Sequence, residues 1–177
     1  MLRLLLYYNK CNIIRRFYIL EIGELSEIPE ELPLSGRFGS EMLFELKRRA
    51  EFINEIMPRK KRFVNELNYL TAQISAIVWA INYIVESEEK IKNARIIFDD
   101  ALVYNKQEIQ TIPEIPKKMD IKFKRRLKRL KQKAEYLQPL INRKKSEGKK
   151  TERLENDLKV LIWVINHILT LNKLTNR

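Results

Sequence analysis

The sequence predicts a mainly α fold: a helical bundle of about four long helices with a minor β element. Three observations predict it. Leucine and isoleucine recur at spacings of three and four through four long stretches, the period of an amphipathic helix. Only four Gly and six Pro interrupt 177 residues, so those stretches can remain regular. The second half of the chain also repeats the first at an offset of 84 residues.

Taken in order, the first element is a strand at Ile13 to Ile22, where β-branched and aromatic residues cluster. Pro29, Pro33, Gly36 and Gly39 mark the loop that follows. A helix opens at Gly39-Ser40-Glu41, with Ser40 as the N-cap. Its face is Leu43, Leu46, Ala50, Ile53 and Met57, and Pro58 ends or kinks it. The second helix runs from about Lys60 to about Glu86, with Leu67, Leu70, Ile74, Ile77, Ile81 and Ile84 along its seam. A second strand is expected at Ile96 to Tyr104, and Pro113 and Pro116 mark another loop. The third helix spans about Met119 to Gln138 through Phe123, Leu127, Leu130, Ala134 and Leu137, interrupted by Pro139 and then Gly148. The fourth runs from about Thr151 to Asn172 through Leu154, Leu158, Leu161, Ile165 and Ile168.

The offset divides the chain into residues 1–88 and 89–177, each a strand-loop-helix-helix unit, the second of them basic, packing as one domain or two. Apolar seams alone do not establish a repeat, because 84 residues are twelve heptads and any two heptad-patterned helices align for free. The matches off the seam carry the information. Arg59-Lys60-Lys61 returns as Arg143-Lys144-Lys145, Trp79 and Asn82 as Trp163 and Asn166, and Ile28-Pro29-Glu30 as Ile112-Pro113-Glu114. A duplicated unit packs about a pseudo-twofold axis, like a fused dimer. It would set Arg15-Arg16 against Asp99-Asp100 on paired strands.

Composition excludes several classes. A lone cysteine, Cys11, cannot form an intrachain disulfide and points to a reducing compartment, so a cytoplasmic location is expected. The longest apolar run, Ala76 to Val85, contains Asn82 and is about half the ~20 residues of a membrane span. Met1 to Tyr8 is apolar but is followed by Lys10, Arg15 and Arg16 without a cleavage site of small residues. Abundant Lys, Ile and Asn suggest an AT-rich genome, such as that of a thermophilic archaeon or its virus. One histidine and one cysteine make no metal site, and no Gly-rich phosphate loop or nucleophile motif occurs. His167 therefore reads as a surface or half-buried residue, and Asp99-Asp100 as a strand-end salt-bridging pair. No enzyme, cofactor or metal is expected.

The net charge of +12 is concentrated. From Lys117 to Arg153 sixteen Lys and Arg stand against four acids, while the remainder holds nineteen of each sign. Lys117, Lys118, Lys122, Lys124, Arg125, Arg126, Lys128, Arg129, Lys131 and Lys133 surround a helix whose seam is apolar, and Arg143, Lys144 and Lys145 follow. A cationic face of this kind suits phosphates, whose condensed counterions are released on contact. No base-reading Asn or Gln and no stacking aromatic accompanies it in the sequence, so recognition of the backbone is expected. An acidic protein is the other partner such a face fits, and a membrane surface is not expected.

Gly23-Glu24-Leu25-Ser26-Glu27-Ile28-Pro29-Glu30-Glu31-Leu32 resembles the Gly-x-hydrophobic-x-x-hydrophobic-Pro turn in the small β domain of the GINS replication proteins. Glu45-Leu46-Lys47-Arg48-Arg49-Ala50-Glu51 is similar to the helix that follows it there. The order, β-containing part first and larger helical part after, is that of the GINS subunits with an N-terminal β domain. Pro33 to Gly39, inserted before the helix, departs from the family. The resemblance implies a non-enzymatic scaffold subunit of a hetero-oligomeric DNA-replication assembly, with the MCM helicase and a RecJ-like protein as partners. Small basic helical bundles also occur as subunits of CRISPR effector complexes that bind nucleic-acid backbone. Viral or archaeal DNA-binding regulators and nucleoproteins are the third class.

Overall fold

The computed structural model describes residue 32 and residues 37–60, 64–93 and 111–175. The expected strands, Cys11, Asp99-Asp100 and most of the GINS-like turn lie outside the described residues.

Four long helices form. Helix α1 spans Arg37–Ile56 and passes into a 3₁₀ turn at Met57–Lys60, where Pro58 ends the α-helical ladder as expected. Because α1 begins at Arg37, Ser40 lies inside its first turn and is not its N-cap. Helix α2 spans Val64–Asn93 and continues past the expected end near Glu86. Ser87 and Ile91 extend the buried stripe of Ile84 at spacings of three and four. The serine conceals that continuation in the sequence.

Helix α3 spans Ile121–Ser146. Asp120 caps it, its Oδ1 accepting from the Phe123 backbone N–H at 2.8 Å. The helix runs through Pro139 rather than stopping there. The proline is exposed while Leu137 and Ile141, on either side of it, are buried. Core packing thus holds the helix across a residue that donates no hydrogen bond and normally breaks one. Chain reversal comes at Gly148, whose φ of 67° is the left-handed conformation that glycine adopts without cost. Around it the N–H groups of Glu147, Gly148 and Lys149 return to the carbonyls of Arg143, Lys145 and Lys144. Helix α4 spans Glu152–Thr175. Thr151 precedes it, its hydroxyl donating to Glu155 Oε1, and Glu152 and Glu155 place negative charge at the positive helix end.

The helices differ in how much of their surface they bury. α1 and α3 each bury one stripe: Leu43, Leu46, Ala50 and Ile53 in the first, Leu127, Leu130, Ala134 and Leu137 in the second. α2 and α4 are buried around much more of their circumference, with Ala76–Val78 and Ala80–Ile81 in α2 and Val160–Ile165 in α4 all in the core. α2 packs along α4, while α1 and α3 each pack against both and have little contact with one another. The bundle is therefore an α2–α4 pair against which α1 and α3 each pack, around one continuous core.

The 84-residue offset can be followed through the buried positions of the helices. Arg37 and Ile121, the first residues of α1 and α3, are 84 positions apart. The four-residue stripes of α1 and α3 given above correspond one to one, as do Ile74, Ile77, Ile81 and Ile84 with Leu158, Leu161, Ile165 and Ile168. A heptad register would give that much. Two polar contacts between α2 and α4 follow the same correspondence. Tyr83 Oη of α2 donates to Asn172 Oδ1 of α4 at 3.4 Å, and His167 of α4 meets Glu88 of α2 with Nε2 and Oε1 2.7 Å apart. His167 is the equivalent of Tyr83, and Asn172 of Glu88, so one contact is the other with the halves exchanged. A pseudo-twofold relation has that consequence, as has the antiparallel packing of two helices in one heptad register. The structure also corrects the reading of His167, which is fully buried, stacked on Trp163 with ring centroids 4.7 Å apart. The Glu88 carboxylate supplies the polar partner that makes this burial tolerable.

Candidate nucleic-acid interface

α3 carries its apolar stripe inward, so the cations between those positions turn toward solvent or to the helix flanks. From Ile121 to Ala134 no acid occurs. Lys122, Arg125, Arg126 and Lys128 are exposed on this segment, and Lys117 and Lys118 are exposed in the loop before it. Lys124 Nζ donates to the Lys117 carbonyl at 2.9 Å, which ties that loop to the helix and holds the two basic segments together.

The other cations of the sequence motif are placed differently. Lys131 is largely covered and bonded to Glu114 at 2.7 Å, with Glu135 at 3.8 Å, so it acts within the fold. Arg129 and Lys133 turn toward α2 and line a notch with Gln73 and with Arg49 of α1. Past Pro139 two of the three cations are paired: Arg143 reaches Glu147 at 4.0 Å and Lys145 reaches Glu155 at 3.0 Å, while Lys144 is half-buried. The thirteen expected contact residues thus reduce to an exposed cluster on the first turns of α3, a notch beside it, and a distal group tempered by acids.

Aromatic residues absent from the sequence motif join this face through the fold. Arg126 lies over the half-buried Trp79 ring, its Cζ 5.5 Å from the centroid. Trp79 in turn meets Phe123 edge-on at 5.1 Å. The Lys133 ammonium stands 5.6 Å from the ring of Tyr69 and 5.1 Å from that of Tyr136, both rings exposed. Burial, and then the neighbouring Arg49 guanidinium, pushes the Lys133 pKa down, with Asp157 acting the other way. Burial likewise raises the Tyr69 hydroxyl. Sequence reading missed Tyr69, Trp79 and Tyr136 because two of them lie on another helix, and it missed Arg49 and Gln73 for the same reason. Lys133 and Tyr136, three apart on α3, were the available signal.

Among the described residues no group of three or more His, Cys, Asp or Glu is placed to hold a metal ion, and no helix is long and apolar enough to cross a membrane. No protein-family model matches the chain, and no curated protein or solved structure shows significant similarity to it.

Proposed function

We propose that this chain is a non-enzymatic subunit that holds nucleic acid by its backbone, along the basic segment of α3. The observation that carries the reading is the run from Ile121 to Ala134, cationic, acid-free and exposed on its outer side. From Lys122 to Lys133 the helix rises about 17 Å. Duplex DNA presents about one charge per 1.7 Å, so the extent of binding is limited by the protein's cations rather than by available phosphates. The GINS-like turn and helix segment support a replication assembly with helicase-associated proteins as the setting.

The test replaces Lys122, Arg125 and Lys128 with Glu. All three are exposed, so the fold should be retained. Affinity for DNA should fall at least about tenfold near 150 mM salt, and the slope of log affinity against log salt should flatten by about 2–3, at about 0.7–0.9 for each phosphate no longer neutralised. Scrambling the DNA sequence should change little. A variant that binds DNA as tightly as the parent refutes the reading. Copurification from native lysate identifies the setting: helicase proteins support replication, and Cas proteins with guide RNA assign the chain to a CRISPR complex instead.

A further inference from the structure

Arg126 and Lys133 are two turns apart on one flank of α3, and that flank faces α2. Two adjacent rows of residues run along it with the same spacing: Lys122, Arg126 and Lys133 in one, Arg125, Arg129 and Tyr136 in the other. The cationic face of α3 therefore ends on an aromatic ring. Helix α2 runs the opposite way beside it, since Trp79 lies under Arg126 and Tyr69, earlier in the chain, lies under Lys133. The rings at the two ends of this boundary are in different situations. Trp79 is half-buried and packs against Tyr83 and Phe123, so it belongs to the fold. Tyr69 and Tyr136 are 51% and 56% exposed, and neither belongs to the core. Both stand within 6 Å of the Lys133 ammonium, at 5.6 and 5.1 Å. The Gln73 amide interacts with the Tyr69 hydroxyl, which restrains that ring.

The 84-residue offset supplies a comparison. Tyr136 corresponds to Phe52 and Tyr69 to Arg153, and the Arg153 guanidinium lies over the Phe52 ring at 4.8 Å. At the α3 site a second ring takes the place of that guanidinium. Two large rings are thus held half in water beside a row of cations, on the side of α3 where the charge surplus lies. In a duplex the base faces are covered by their stacked neighbours, and a protein meets phosphates and groove edges. A single strand offers base faces as well as phosphates, and a cationic track bordered by aromatic rings takes both. We infer that the nucleic acid held along α3 is single-stranded, its phosphates on the cations and its bases stacked on Tyr69 and Tyr136. Stacking of this kind tolerates any base, so it adds strand preference without sequence preference.

This inference rests on the nucleic-acid reading above, and the experiment separates the two. Fluorescence anisotropy is measured with a labelled single-stranded oligothymidylate, an abasic strand of the same length and a duplex of the same length. The parent should bind the oligothymidylate more tightly than either of the others. Tyr69→Ala and Tyr136→Ala should each lower that affinity at least about fivefold, leave binding of the abasic strand unchanged and keep the slope against log salt, because no phosphate contact is lost. Tyr69→Phe and Tyr136→Phe, which keep the rings, should bind as the parent does. The stacking inference is overturned if the parent binds intact and abasic strands equally, if it prefers the duplex, or if the alanine variants lose both strands alike. The α3 reading survives each of those outcomes provided that Glu at Lys122, Arg125 and Lys128 still weakens binding. If the parent binds none of the three probes, both readings fall.

Discussion

Ile81 of α2 and Ile165 of α4 lie 84 positions apart, and each is fully buried in the core. Truncation of either to Ala removes about three methylene equivalents, worth about 0.8 kcal/mol each in transfer free energy, or about 2.4 kcal/mol. A residual cavity of about 50–100 Å³, at about 24 cal/mol per Å³, adds about 1–2.5 kcal/mol. Each substitution should therefore cost about 4 kcal/mol, and the two costs should agree to within about 1 kcal/mol because the surroundings are related by the pseudo-twofold axis. Urea unfolding followed by circular dichroism measures this, provided the m value is unchanged between variants. Ile121→Ala is the control: that side chain is 75% exposed and its loss should change stability by less than about 0.5 kcal/mol. A cost below about 1 kcal/mol at Ile81 or Ile165 would mean that α2 and α4 do not pack as a pair. Costs that differ severalfold would mean the halves do not share one packing arrangement.

Two further outcomes concern the middle of α3 and the first turn of α4. Pro139→Ala should stabilise the protein by about 1–3 kcal/mol, because it restores a helical N–H in the interior of α3 at an exposed position; a loss of stability would show that the core between Leu137 and Ile141 depends on the proline's local geometry. The Thr151 hydroxyl, followed by Lys145, holds the Glu155 carboxyl below its usual 4.5, so the stability this pairing contributes is complete above about pH 4.5 and is lost as pH falls through the lower folded value. The melting-temperature difference between the parent and Glu155→Gln should accordingly be constant at neutral pH and shrink in acid, and a difference that does not vary with pH refutes the pairing.

Most of the bundle was legible in the sequence because apolar period alone fixes which face of a helix is buried. Leu43 to Ile53 and Leu127 to Leu137 are spaced for one stripe, and the structure buries those stripes. What escaped the sequence was decided by tertiary packing. Pro139 reads as a stop in isolation, yet Leu137 and Ile141 hold the helix through it. His167 reads as polar and therefore outward, but its partner Glu88 lies 79 residues earlier, on another helix. For the candidate site, the exposed cations of α3 were legible as a charge run. Their division was not: Lys131 belongs to Glu114, and Lys133 belongs to a notch whose other wall comes from α1 and α2. A one-dimensional run of charge contains no information about which members face a neighbouring helix.

The comparison of α1 with α3 separates what folding requires from what it does not. Both helices bury the same four-residue stripe in the same bundle, so either set of outward residues is compatible with the fold. Yet Glu41, Phe44 and Glu45 stand in α1 where Arg125, Lys128 and Arg129 stand in α3. The α3 set is the costlier for a free helix. Like charges three and four residues apart, such as Lys122 with Arg125 and Arg126, or Arg125 with Lys128 and Arg129, each destabilise it by about 0.2–0.5 kcal/mol. α1 shows that the repulsion could have been relieved by acids without disturbing the core. A cationic face at that cost, on a helix whose counterpart does without it, is what the proposed anionic partner would account for, since its binding removes the repulsion. The phosphate backbone proposed to lie along α3 would meet that requirement.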